Sequence, residues 1–125
     1  MKVFYSDTNE IHLEASRSDL KYFSKFMVSG PEENKPLKLT LEIVKDFPNF
    51  DGICSSLIVA IKQANKIQVR DDTLYIEGTK DFLTNLASNL PFDTETVPYH
   101  IHYDFISFPQ FLTEDSPELV IEANA

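Results

Sequence analysis

The chain has 125 residues, a formal net charge of −9, 42% hydrophobic and 25% charged side chains. These values fit one globular domain, residues 1–125, that can bury a core, and they exclude a fibrous or disordered chain. The longest apolar run, Leu57 to Ile61, is far short of the roughly 20 residues of a spanning helix, and a single cysteine, Cys54, excludes an internal disulfide or a paired-cysteine zinc site.

The opening residues turn polar at Ser6-Asp7, before a signal-peptide core could form. Together with the lone cysteine, this leads us to expect a chain of the reducing cytosol. Ile11, Leu13 and Ala15 alternate with His12 and Glu14, the period of a half-buried strand. Ser16 is a good N-cap, with Asp19 three residues on, and Leu20, Phe23 and Met27 follow at helical spacing until Gly30-Pro31. Leu37, Leu39, Leu41 and Ile43 predict a strand whose other side carries Lys38, Thr40 and Glu42. After a loop from Phe47 to Gly52, Leu57, Val59 and Ile61 suggest another strand. Leu57, Ile58, Ile61 and Ala64 would also suit a short helix, but branched residues at 58, 59 and 61 favour the strand. A short strand near Ile67 to Val69 is closed by a turn at Asp71-Asp72.

The order then recurs. Leu74, Ile76 and Gly78 alternate, Thr79 caps, and Leu83, Leu86, Ala87 and Leu90 line a helix that stops at Pro91. Tyr99, Ile101, Tyr103 and Phe105 read as a strand facing the core, and Glu118 to Glu122 as a last strand. His12-Leu13-Glu14-Ala15-Ser16-Arg17 parallels Tyr75-Ile76-Glu77-Gly78-Thr79-Lys80, Leu57-Ile58-Val59 parallels Leu119-Val120-Ile121, and Asp46-Phe47 with Phe50 parallels Asp104-Phe105 with Phe108. The expected fold is α+β: a largely antiparallel sheet with two helices packed on one face, built from two β-α-β-β units, the first with an additional strand, over residues 10–66 and 73–123, whose matching order suggests a duplication.

Charge is segregated along the chain. Residues 81–125 contain no Lys or Arg but eight acids: Asp81, Asp93, Glu95, Asp104, Glu114, Asp115, Glu118 and Glu122. Such a field repels nucleic acid and anionic membrane and attracts basic surfaces, although an acidic surface also simply confers solubility. The outward strand positions would be His12, Glu14, Lys38, Thr40, Glu42, Tyr75, Glu77, His100, His102, Asp104, Val120 and Glu122. His100-x-His102-x-Asp104 is the sharpest pattern, because residues i, i+2 and i+4 of a strand share a face. Imidazole and carboxylate suit zinc or iron, but these three span about 13 Å of strand, too far for the outer pair to meet one ion. A Glu77–His100 acid–base pair is geometrically conceivable. Cys54, beside an apolar strand, reads as inert packing. No nucleophile elbow, phosphate-cradling loop or zinc-protease helix motif is present, so neither an enzyme nor a cofactor is expected. The run Phe105, Phe108, Pro109, Phe111 and Leu112, flanked by acids, describes either core or a hydrophobic anchor with a charged rim.

The stretch His100-Ile101-His102-Tyr103-Asp104, the loop with Phe111-Leu112, then Ser116 and Glu118-Leu119-Val120-Ile121, resembles a bacterial family, immunity protein family 32 of polymorphic toxin systems. Leu74-Tyr75-Ile76-Glu77-Gly78 and Ile11-His12-Leu13-Glu14-Ala15, each with its helix, extend the resemblance over most of the chain. Thr113-Glu114-Asp115-Ser116-Pro117 departs from the glycine-containing turn of many relatives. The resemblance implies neutralisation of a cognate toxin and implies no catalytic residue. An acidic protein of this kind would occlude a basic toxin domain stoichiometrically, with His100, His102, Asp104, Phe108, Phe111, Glu114 and Asp115 as candidate contacts. The alternatives are a small metal-dependent enzyme using the His-x-His strand, or an oligomeric scaffold that pairs through a sheet edge.

Overall fold

The first unit begins with a hairpin, β1 (Lys2–Ser6) and β2 (Glu10–Ser16), in a computed structural model that describes residues 1–125. Its three-residue turn places Asn9 at φ 64°, a left-handed conformation that Asn tolerates. Ser16 then caps α1 (Arg17–Ser29), its hydroxyl accepting the Asp19 N–H at 3.1 Å. Leu20, Phe23 and Met27 form the buried stripe of that helix. The chain continues through β3 (Leu37–Thr40) and the short β4 (Gly52–Ile53) to β5 (Ser56–Ile61).

The second unit repeats this order. β6 (Lys66–Arg70) and β7 (Thr73–Gly78) form a hairpin whose two turn residues, Asp71 and Asp72, are both left-handed at φ 50° and 56°. That is the turn whose twist matches paired strands. Thr79 caps α2 (Lys80–Ser88), accepting the Phe82 N–H at 3.2 Å, and β8 (Tyr99–Tyr103) and β9 (Glu118–Asn124) complete the chain. The fold class is thus α+β, with mixed but mostly antiparallel pairing.

The expected single sheet is replaced by two: a five-stranded sheet in the order β4-β1-β2-β9-β8 and a four-stranded one in the order β3-β5-β7-β6. The cause is an exchange of strands. β2 pairs in parallel with β9, from Glu10 opposite Glu118 to Ser16 opposite Asn124, while β7 pairs in parallel with β5. Each hairpin is therefore completed by a strand pair from the other half of the chain. The pairing that results is β-β-α-β-β in each half, so each unit carries a leading strand that the β-α-β-β reading lacks. In register, Leu37 and Ile101 occupy equivalent places, as do Leu57 and Leu119, or His12 and Tyr75. The matched Asp-Phe pairs do not: Thr40, not Asp46, is the counterpart of Asp104 when β3 and β8 are aligned this way.

β1 and β4 are strands that the sequence pattern does not predict, and β3 is shorter than the pattern predicts. β3 stops at Thr40 because the Leu41 N–H donates to the Ser55 carbonyl and the Glu42 N–H to that of Met1, both at 3.0 Å. Leu41 is buried and Ile43 is 63% exposed, ending the alternation. Phe105 likewise lies beyond β8.

Both helices face the common core. α1 packs on β2 and β9, α2 on β7, and the helices on each other, where the Ser24 hydroxyl donates to the Ala87 carbonyl at 3.0 Å. A cluster of 24 buried residues unites both sheets and both helices. Residues 52–56 cross from one sheet to the other: Ile53 pairs with Phe4, Cys54 donates to the Val3 carbonyl at 2.8 Å, and Ser56 opens β5. A second clasp is the Tyr5 hydroxyl, donating to Asp72 Oδ1 at 2.7 Å. Asn65 ties a third junction, donating to the Phe111 carbonyl at 3.1 Å and accepting the Thr79 N–H at 3.0 Å.

Candidate functional site

The outward face of the five-stranded sheet follows from the pleat. Ile11, Leu13 and Ala15 of β2, and Leu119, Ile121 and Ala123 of β9, point into the core, so their alternate neighbours point out. The ladders order these neighbours into rows. One row is Lys2, Glu14, Glu122 and His100; the next is Phe4, His12, Val120 and His102; the third is Ser6, Glu10 and Glu118. All three histidines of the protein thus project from one sheet face, among four glutamates and a single lysine of those rows.

Two convergent groups form there. The ligand atoms of His12, Glu14 and Glu122 lie within 4.8 Å of one another, and all three side chains are half-buried. His12 Nε2 is 3.6 Å from Glu14 Oε2, while the other oxygen of Glu14 faces Lys2 Nζ at 3.9 Å. Phe50 walls this group, stacking on Phe4 at 5.0 Å and tilting over His12 at 5.4 Å. The second group is His102, Asp104 and Glu118. There His102 Nδ1 contacts Glu118 Oε1 directly, and Asp104 Oδ1 accepts the Ser107 N–H at 2.9 Å. His100 stands beside His102, ring edge to face, at 5.3 Å.

The structure divides the predicted site residues. His100, His102 and Asp104 come together on this face, and His102 and Asp104 converge on Glu118 rather than on each other's strand alone. Lys38, Thr40, Tyr75 and Glu77 belong to the four-stranded sheet, so Glu77 does not face His100. That second face carries Lys38, Lys66 and Arg70, with the Arg70 guanidinium 4.3 Å over the Tyr75 ring. Glu42 lies beyond β3, paired with the N-terminal amine at 3.3 Å. Phe108 and Phe111 are not a free anchor. Phe108 stacks on buried Tyr103 at 4.1 Å and Phe111 packs 6.1 Å from Phe82, both against the core. Ile106, between them and Asp104, is the exposed apolar residue at 88%.

Glu114 and Asp115 sit in the exposed turn before β9, at the end of the same sheet. A hydrogen bond from the Thr113 hydroxyl holds the Asp115 carboxyl below the usual carboxylate range. Asp115 borders a groove of about 910 Å³ between the two sheets, with Asp7, Glu10, Asp71 and Asp72 also lining it and Lys66 as its one cation. Cys54 has no solvent exposure, and burial, helped by the nearby Asp72 charge, pushes its thiol up to about 12. It cannot supply a thiolate near neutral pH.

The His12–Glu14–Glu122 group escaped sequence reasoning although each member was read as outward-facing. Its formation depends on β2 pairing with β9, which alternation along a strand does not encode. No protein-family model matches the chain, and neither a curated protein nor a solved structure shows significant similarity to it.

Proposed function

We propose that the protein is an immunity protein that binds a basic toxin domain and neutralises it by stoichiometric occlusion. The observation that carries this reading is charge concentrated in one place. A chain of net charge −9 sets Glu10, Glu14, Glu118, Glu122 and Asp104 around its histidines on one sheet face, against Lys2 alone. A carboxylate-rich surface accelerates encounter with a basic cleft and disfavours nucleic acid. His100, His102 and Asp104 lie on this face; Glu114 and Asp115 extend it toward the acidic groove; Ile106 offers an apolar contact at its margin. Phe108 and Phe111 pack inward against Tyr103 and Phe82, so their part is to hold the loop that carries Ile106. This is also the role that the sequence's resemblance to immunity protein family 32 leads us to expect.

The test is a pull-down of native-host lysate with tagged protein at low and high salt, followed by co-expression with the captured protein. The expected result is capture of a basic protein, weakened by salt, that is toxic alone and harmless with its partner. Replacing Asp104 and Glu118 with lysine should abolish protection. Toxicity unrelieved by co-expression, or protection that survives the charge reversal, would overturn this assignment of role or of face.

The two histidine–carboxylate groups favour one second reading, a small metal-dependent hydrolytic enzyme. A metal-dependent activity that disappears with His102→Ala, in a protein giving no protection, would establish it instead.

A further inference from the structure

We propose that His12, Glu14 and Glu122 form a binding site for one divalent transition-metal ion, with Zn²⁺ the ion best suited to the donor set. The inference is independent of the toxin-binding reading. Its first support is geometry. Ligands of a tetrahedral zinc at about 2.0 Å stand roughly 3.3 Å apart, and His12 Nε2 and Glu14 Oε2 are separated by 3.6 Å with Glu122 within the same 4.8 Å cluster. The 4.8 Å bound exceeds the tetrahedral spacing by about 1.5 Å, which side-chain rotation has to close.

Its second support is the scaffold. The three ligands stand on β2 and β9, the two central strands of the sheet, paired continuously from Glu10 opposite Glu118 to Ser16 opposite Asn124. Sites built on such elements hold their geometry better than sites on loops. Lys2 holds one oxygen of Glu14 and turns the other toward His12, and Phe50 covers the imidazole on one side. At 3.9 Å and partly solvated, the Lys2–Glu14 ion pair is too weak to compete with a metal.

The third support comes from the other half of the chain. The positions equivalent to His12, Glu14 and Glu122 are Tyr75, Glu77 and Ala60, which cannot form such a set. The fold therefore does not require this triad. An imidazole with two carboxylates favours zinc-like ions over Mg²⁺ or Ca²⁺, which prefer oxygen-only shells. The His102–Asp104–Glu118 group is the weaker competitor, because His102 stands exposed on the edge strand β8, and Asp104 lies beyond that strand, held by the Ser107 amide. Three protein ligands leave one coordination position for water or for a side chain of an incoming partner.

The experiment is calorimetric titration of the metal-stripped full chain with ZnCl₂, with Co²⁺ absorption as an independent report of coordination geometry. We expect one ion per chain at the first equivalence point and visible bands of a four-coordinate Co²⁺ site. Glu122→Gln and His12→Gln should each weaken binding by more than the roughly 10- to 100-fold that follows loss of a residue that only orients a ligand. Both variants should melt like the parent in EDTA, which separates loss of the site from loss of the fold. His102→Ala should leave the affinity unchanged. Absence of stoichiometric binding, or binding lost in His102→Ala and kept in Glu122→Gln, would overturn the proposal.

Discussion

Gly52 sits where the chain passes between the sheets, and adding one methyl group there tests the packing of that crossing. A Cβ on Gly52 would lie 2.2 Å from both Cζ and Oη of Tyr5 and 2.7 Å from its Cε1. Carbon contacts settle near 3.5 Å or more, so the ring must retreat by about 1.3 Å. It is not free to do so, because its hydroxyl donates to Asp72 Oδ1 at 2.7 Å, a bond that joins the two sheets. Overpacking together with loss of that bond predicts that Gly52→Ala costs about 2–4 kcal/mol. The backbone at Gly52 is not left-handed, so alanine itself is tolerated there. In a Tyr5→Ala background the same substitution should then be neutral, or stabilising by about 0.4–1 kcal/mol through the unfolded chain. Urea unfolding of the four proteins, followed by far-UV circular dichroism and by tyrosine emission in this tryptophan-free chain, measures the coupling. A Gly52→Ala variant as stable as its parent, or one equally costly without the Tyr5 ring, would refute the reasoning.

Asn65→Ala removes the bonds to Phe111 and Thr79 at once and should cost about 2–3 kcal/mol in the same unfolding assay, while Asn65→Asp, keeping the acceptor, falls between. Tyr103→Phe deletes the 2.7 Å bond from a wholly buried hydroxyl to Asn85 Oδ1 and should cost about 1–3 kcal/mol, with Asn85 left without its donor. Alkaline stability should report Cys54, whose thiol stays neutral in the fold up to about pH 12 and ionises in the unfolded chain near its ordinary value of 9.0. Its contribution is complete below pH 9 and disappears as pH rises toward 12, with a slope of up to about 1.4 kcal/mol per pH unit. Cys54→Ala should flatten that part of the stability profile; an unchanged profile would show that the thiol titrates normally. Burial also raises the Tyr103 hydroxyl, so some alkaline loss should remain above pH 10 in that variant.

Much of the fold is legible wherever one side of an element meets water. β2 and β7 alternate, and Ser16 and Thr79 announce their helices through side-chain oxygens that accept the first free amides. β1 gives no such signal, because Phe4 on its outer side is itself covered by Phe47 and Phe50, so Val3-Phe4-Tyr5 reads as a bare apolar run. Alternation also says which way a side chain points without saying which strand lies beside it. Hence His100, His102 and Asp104 could be placed on one face, yet Glu118 as the partner of His102, and the meeting of His12 with Glu122, could not. The aromatic loop was ambiguous for a related reason: Phe108 and Phe111 find their partners, Tyr103 and Phe82, only through tertiary packing.

The interleaving of the two halves has a consequence for how the molecule is made. The centre of the five-stranded sheet is the pairing of β2 with β9, so strand Glu10–Ser16 has no parallel neighbour until Glu118–Asn124 has been synthesised. In the other sheet, β5 waits only for β7, twelve residues after it in the chain's order from Ile61 to Thr73. Assembly during translation is therefore lopsided: the four-stranded sheet can close around β5 and β7 while β2 still lacks its parallel partner. The histidine–carboxylate surface forms after the four-stranded sheet, since two of its strands, β8 and β9, follow β3, β5, β6 and β7 in the chain. A chain lacking β8 and β9 would keep the four-stranded sheet and lose the histidine–carboxylate face.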